Sequence, residues 1–143
     1  MRIAIVVAAA LAAAGIAGIA ATEAAAQGVG DPKAGATVFN KCKACHALGP
    51  GAANKIGPEL NGIIGEQPGA VEGYQFSKPF MDWAASQGPW TAETMRPWLE
   101  NPRAVVKGTK MAFPGLKNPA EIDNLVAYLL TFDEAGNPVA PAN

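Results

Sequence analysis

A chain of 143 residues is enough for one compact domain and short for two. Its 11 Lys and Arg stand against 12 Asp and Glu, a formal charge of -1. That balance excludes a general attraction to nucleic acid or anionic lipid, so any charge-guided docking must come from a local patch.

The N-terminus reads as an export signal: Met1 and Arg2, an uncharged apolar run over 3–21, then Ala24 and Ala26 before Gln27. Cleavage after Ala26 divides the chain into a signal over 1–26, a folded domain over 27–132 and a tail over 133–143. The tail is polar and Pro-rich and is expected to be mobile. Export with cleavage places the domain outside the cytoplasm. The alternative is a membrane anchor, because the apolar run is just long enough to cross a bilayer if left uncleaved. Alanine and glycine make it weakly hydrophobic, which favours the cleaved signal.

Asp31 caps and Pro32 opens a first helix that runs without a breaker to the cysteines. Over 47–73 the density of Gly and Pro predicts ordered loop, with at most a helical turn around 60–64. A short helix is predicted over 77–87, ended by Gly88, with Phe80, Trp83 and Ala84 on one face. Thr91 caps the next, which must stop before Asn101-Pro102, and Pro97 inside it is expected to bend or shorten it. Asn118 caps and Pro119 opens the last helix, where Ile122, Leu125, Val126, Leu129 and Leu130 recur at spacings of three and four. No strand of useful length is predicted, so the fold class is all-α. These helices offer few apolar residues, and the long loop offers little periodic surface to pack. A group other than side chains is expected to fill the middle.

Both cysteines and the single histidine fall within five positions, Cys42-Lys43-Ala44-Cys45-His46. This is the C-x-x-C-H attachment pattern of c-type haem, in which two thiols form thioethers to one porphyrin and the adjacent imidazole ligates the iron. Three other readings are weaker. A thioredoxin-like pair follows a strand, and none precedes Cys42. A zinc site lacks a fourth ligand, and a disulfide across so short a ring adds little and leaves His46 without a task. With no second histidine, the other axial position falls to methionine, to lysine or to nothing. Met81 and Met95 lie in helical patterns as core residues, whereas Met111 lies in the loop "KGTKMAFPG", between two helices.

The segments "CKACH", "GPELNGIIG", "GYQFS", "LENPRAVVKGTKMAFPGL" and "IDNLVAYL" occur in that order between Asp31 and Phe132. Over that span the chain resembles the class I cytochromes c, the soluble bacterial relatives of mitochondrial cytochrome c. The resemblance implies a small helical fold wrapped round one haem c, covalently bound through Cys42 and Cys45, with His46 and Met111 as axial ligands. It further implies that the Pro58 carbonyl accepts the proton of the His46 ring, that Trp90 bonds a haem propionate and that Thr109 lies beside the Met111 loop. Gly35 and Phe39 should meet Leu125 and Tyr128. Three positions depart from the pattern. Glu66 stands where an arginine near a propionate is expected, and Phe76 and Trp98 stand where tyrosines are expected, although the Trp98 indole still offers one donor.

An iron closed by imidazole and thioether has no vacant site for a reactant, so the expected role is that of an electron carrier and not of an enzyme. The resemblance implies a monomer in the periplasm of a bacterium, passing electrons from a quinol-oxidising cytochrome complex to a terminal oxidase or photosynthetic reaction centre. Lys41, Lys43, Lys55, Lys107 and Lys110 flank the attachment sequence and the methionine loop and are candidates for docking such partners at the haem edge. The alternative is a periplasmic haem enzyme or gas-binding sensor with an open sixth position.

Overall fold

The computed structural model describes residues 30–140. The export signal and its cleavage point lie outside the described residues. Five helices follow one another: α1 Pro32–Val38, α2 Lys78–Ala84, α3 Ala92–Glu100, α4 Pro102–Val105 and α5 Pro119–Leu129. Among the described residues there is no strand, only an isolated antiparallel bridge between Phe132 and Pro138.

Each helix starts where a short polar side chain can satisfy the free N–H groups of the first turn. Asp31 Oδ1 accepts from the Lys33 N–H at 2.8 Å and Ser77 Oγ from the Phe80 N–H at 3.3 Å. Asn101 Oδ1 accepts from Ala104 at 3.2 Å, and Asn118 Oδ1 from Ala120 at 3.0 Å. Thr91 and Thr94 cap each other's backbone reciprocally at the start of α3. Proline stands in the first turn of α1, α2, α4 and α5, where its missing N–H has no partner to lose.

Two elements differ from the sequence expectation. The first helix stops at Val38 and tightens into a 3-10 turn over Phe39–Lys41. The tightening continues through the attachment motif, where the Cys45 N–H donates to the Cys42 carbonyl at 3.0 Å. Such i to i+3 bonding eclipses residues three apart, which brings the two thiols to one side of the turn. The second difference is α4, an unpredicted helical turn that the Asn101 cap and Pro102 begin directly after α3.

Pro97 does not break α3, which runs on to Glu100. The proline removes the single bond that residue 97 would have made to the Glu93 carbonyl. Both residues are exposed, so water takes the freed carbonyl and the cost stays small.

The α1 and α5 helices cross so closely that only glycine fits at the contact. A Cβ at Gly35 would collide with the Asn124 carbonyl oxygen and would lie 2.7 Å from the Tyr128 Cβ. The crossing is fastened at its ends and middle: the Asp31 N–H donates to Asn124 Oδ1 at 2.8 Å, Lys41 pairs with Glu121 at 2.7 Å, and the Phe39 and Tyr128 rings meet at 5.6 Å. Leu125, 1% exposed, is the centre of this packing. Phe39 thus meets Tyr128 and Gly35 meets α5, as the resemblance implied.

The tail expected to be mobile turns back on the domain as far as it is described. The Asp133 carboxylate accepts the Asn137 N–H at 2.8 Å, the Gly136 N–H donates to the Asp133 carbonyl at 2.9 Å, and the Val139 N–H donates to the Thr131 carbonyl at 2.8 Å. Composition read this segment as unable to bury apolar area. The contacts it makes come from a self-capped turn and from Gly136, which is buried.

Candidate haem site

A cavity of about 370 Å³ opens between the end of α1, the loop over 56–60, an aromatic wall and the loop over 109–113. Cys42, Cys45, His46, Pro58, Trp90, Trp98, Thr109 and Met111 all line it, so the structure brings every sequence-derived site residue to one place. The lining is mostly apolar, as a buried macrocycle requires.

Cys42 is half-buried, and burial pushes its thiol up to about 11; Lys41 pulls the other way and Cys45 adds a little. At neutral pH this is a thiol and not a thiolate, the opposite of the depressed value that makes a redox-active Cys-x-x-Cys pair reactive. Among the described residues no three His, Cys, Asp or Glu side chains converge as a metal site would need. Two of the three competing readings of the motif, the redox pair and the zinc site, therefore lose ground.

His46 is oriented from two sides. Its Nδ1 lies 2.6 Å from the Pro58 carbonyl, and because a carbonyl only accepts, Nδ1 carries the proton and Nε2 keeps its lone pair. Burial pushes the imidazole pKa down against the Pro58 bond, so the ring stays neutral, the form that ligates. Gly57 lies flat against the other side, where a Cβ would collide with the ring Cε1 and stand 2.9 Å from Nε2. Gly57 was missed in the sequence, where it is one glycine in a Gly-rich loop. Its only signal was its place before Pro58.

Met111 is half-buried, and its N–H donates to Thr109 Oγ1 at 3.2 Å, so Thr109 fixes the turn that presents the thioether. Met81 is 43% exposed and does not line the cavity. Met95, read from sequence as core, is buried and lines the cavity as well. Two methionines thus reach the site, one from a helix face and one from a loop.

Phe76 and Trp98, the two tyrosine replacements, belong to a continuous aromatic wall. Tyr74 meets Phe76 edge-on at 4.8 Å, Phe76 stacks on Phe80 at 5.0 Å, and Phe80 meets Trp98 at 5.4 Å and Trp98 meets Trp90 at 5.9 Å. Trp83 stacks behind Trp98 at 6.1 Å. What the hydroxyls would have supplied in hydrogen bonds is replaced here by aromatic contact. Tyr74 keeps one polar tie, donating to the Ile56 carbonyl at 2.8 Å.

Glu66 does not line the cavity. Its backbone instead holds Trp90: the Trp90 N–H donates to the Glu66 carbonyl at 2.9 Å and the Gly65 N–H to the Trp90 carbonyl at 2.8 Å. Its carboxyl pKa is raised by burial first, then by the charges of Glu59 and Glu134. A raised folded value means that the folded chain holds this proton more tightly than the unfolded one. The contribution to stability is complete below the ordinary value of 4.5 and is lost as pH climbs through the folded value. Glu66→Gln is therefore expected to raise the melting temperature at pH 7.5 and to leave it nearly unchanged at pH 4. An equal effect at both pH values, read by thermal unfolding, would refute the charge account.

Of the candidate docking lysines, Lys41 and Lys110 stand at the cavity's edge. Lys41 is offset by Glu121. Lys110 donates to the Gln75 carbonyl at 2.6 Å and Lys55 to the Lys43 carbonyl at 2.5 Å, contacts with neutral oxygens that leave both charges in place. Lys43 and Lys107 are exposed.

Paired thiols on one side of a turn, a neutral imidazole with Nε2 available, a thioether-bearing loop and an apolar lining define a haem pocket of the covalently attached kind. The cytochrome c family model matches residues 32–133. Cytochrome c-550 of Ancylobacter novellus is 49% identical over 105 residues, covering 73% of this chain and 98% of that protein. Cytochrome c2 of Afifella marina is 44% identical over 105 residues, covering 73% and 85%. The solved structure of cytochrome c2 from Rhodospirillum centenum superposes with a TM-score of 0.69 at 36% identity, covering 73% of this chain and 99% of that one. The chain belongs to the cytochrome c family and carries one haem c, bound through Cys42 and Cys45.

Proposed function

We propose that the protein is a periplasmic one-electron carrier whose haem iron is ligated by His46 and Met111, and that it takes electrons from a quinol-oxidising cytochrome complex and delivers them to a terminal oxidase or photosynthetic reaction centre. The observation that carries this reading is the convergence of the Pro58-tied imidazole and the Thr109-tied methionine on one apolar cavity. Bound haem supplies reversible one-electron chemistry. The chain supplies the rest. Pro58 and Gly57 hold the imidazole in its ligating form, Thr109 holds the methionine loop, and the wall from Tyr74 to Trp90 excludes water. Trp90 and Trp98 both line the cavity, and an indole N–H can donate to a propionate.

Thioether sulfur is a soft donor that favours ferrous iron, and an apolar surround penalises the added charge of the ferric state. Both raise the potential. Redox titration is expected to give a clearly positive midpoint, and a value below zero against the hydrogen electrode contradicts ligation by Met111.

Lys41, Lys43, Lys55, Lys107 and Lys110 are proposed as the docking charges. Electron transfer from an acidic partner is then expected to slow as salt rises, since the screening length falls to ~10 Å at 0.1 M. Rates that ignore ionic strength would favour apolar docking through the cavity edge, where Ile56 is 75% exposed. Among the described residues no helix is long and apolar enough to cross a membrane.

A further inference from the structure

We infer that the C-terminal strap, residues 131–139, positions the loop that carries Pro58 to His46, and so tunes the iron's proximal ligand from outside the cavity. Residues after 133 lie beyond the family match, yet they are built into the fold. Gly136, with φ at +79°, lies so close over the Asn61 side chain that a Cβ there would stand 2.6 Å from Nδ2 and would collide with the Gly49 carbonyl. Across the contact, Gly62 with φ at +60° receives Glu134, whose Cγ would be 2.7 Å and Cα 2.9 Å from an added Cβ. A glycine on each surface lets backbone lie on backbone. The Phe132 ring closes the end of the contact beside Gly49.

Beneath the strap lies Asn61, buried at 7% exposure. Its Oδ1 accepts the Gly49 N–H at 2.8 Å and its Nδ2 donates to the Gly49 carbonyl at 3.2 Å. This clip fastens both arms of the loop that follows His46. The same loop is tied inside by Leu60 N–H to the Ala47 carbonyl at 3.0 Å and Gly57 N–H to the Cys45 carbonyl at 2.8 Å. Pro58 sits between those ties, 2.6 Å from His46 Nδ1. Hydrogen bonds kept from water are stiffer than wetted ones, and Gly136 is what keeps water from the clip. Losing the strap would wet Asn61 and Gly49 and loosen the Pro58 carbonyl. A weaker Nδ1–H bond makes the imidazole a poorer donor, which disfavours ferric iron and raises the potential. None of residues 131–139 lines the cavity, so the influence passes through the loop and not through solvent entry.

This rests on His46 as iron ligand, which spectra of the parent holoprotein establish first; failure of that reading appears in the parent, and failure of the strap only in the variants. The test compares the full-length holoprotein with a chain ended after Phe132 and with the milder Gly136→Ala. Amide exchange in the ferrous state is expected to accelerate at least tenfold at Gly49, Gly57 and Leu60, and at the His46 ring N–H, while Gly35 and Met95 stay protected. The midpoint potential is expected to rise in both variants, more in the truncation. Unchanged exchange, equal acceleration at all these sites, or local acceleration with an unmoved potential would each overturn the inference.

Discussion

Met111→Ala is expected to drop the midpoint potential by on the order of 0.1 V or more, within the roughly 0.8 V that axial ligation spans among haem proteins. It should also abolish the weak far-red absorption of ferric iron bound to thioether. Met95 is the informative control because it, too, reaches the cavity, from the buried face of α3. Truncating a buried methionine costs about 2–5 kcal/mol in packing, so Met95→Ala should lower stability. It should not remove the far-red absorption or move the potential comparably. The two methionines separate on physical grounds. Met95 is bounded by Trp98 and Leu99 on a capped helix, whose side-chain positions are set by packing. Met111 packs against the core from a loop at the cavity, with its backbone N–H tied to Thr109, a placement from which the thioether can reach a metal. If Met95→Ala has the ligand phenotype and Met111→Ala does not, the assignment reverses.

A large stability effect is also expected at Gly35. In an open helix, Gly→Ala gains about 1 kcal/mol from propensity, so the sign depends on what the new methyl meets. At Gly35 it meets the Asn124 backbone carbonyl, which cannot rotate away. The helices must separate, loosening the Lys41–Glu121 pair and the Phe39–Tyr128 contact together. Gly35→Ala is therefore expected to cost about 3 kcal/mol, the upper end of ordinary overpacking, and to lower the melting temperature by about 10 °C or more. Gly88→Ala is the matched control: nothing lies within 4 Å of a Cβ there, and its effect should be near zero. A neutral Gly35→Ala, measured by thermal unfolding of the holoprotein, would mean that α1 and α5 do not meet as described.

Much of this arrangement was legible in the residues because it is written locally. Asp31-Pro32, Ser77, Thr91 and Asn118-Pro119 name helix starts through chemistry that needs no knowledge of the fold. Cys42, Cys45 and His46 name a prosthetic group by spacing alone. The resemblance then supplied Pro58 and Thr109, positions that no local rule selects, and pointed to Met111, which its loop position had already set apart. What stayed hidden depends on contacts far apart in sequence. Gly57 is one glycine among several until the His46 ring is laid upon it. The wall joining Tyr74, Phe80 and Trp98 spans a loop and two helices, and only packing shows it to be continuous. The contacts of the terminal strap stayed hidden because composition measures what a segment can bury by itself, whereas Gly136 is placed by what it lies against. Glu66 shows the reverse case. Its mismatch with the family arginine was visible in the sequence, but its carboxyl belongs to a neighbourhood of Glu59 and Glu134 outside the cavity, while its backbone holds Trp90.

The central claim is that both axial positions of the iron are filled by the chain itself, leaving none for a reactant. Carbon monoxide added to the native ferrous protein at neutral pH tests it most directly, with the visible spectrum as readout. No change in the haem bands is the expected result; ready formation of a carbonyl complex by the undamaged protein would contradict the claim and turn the reading to an enzyme or gas sensor.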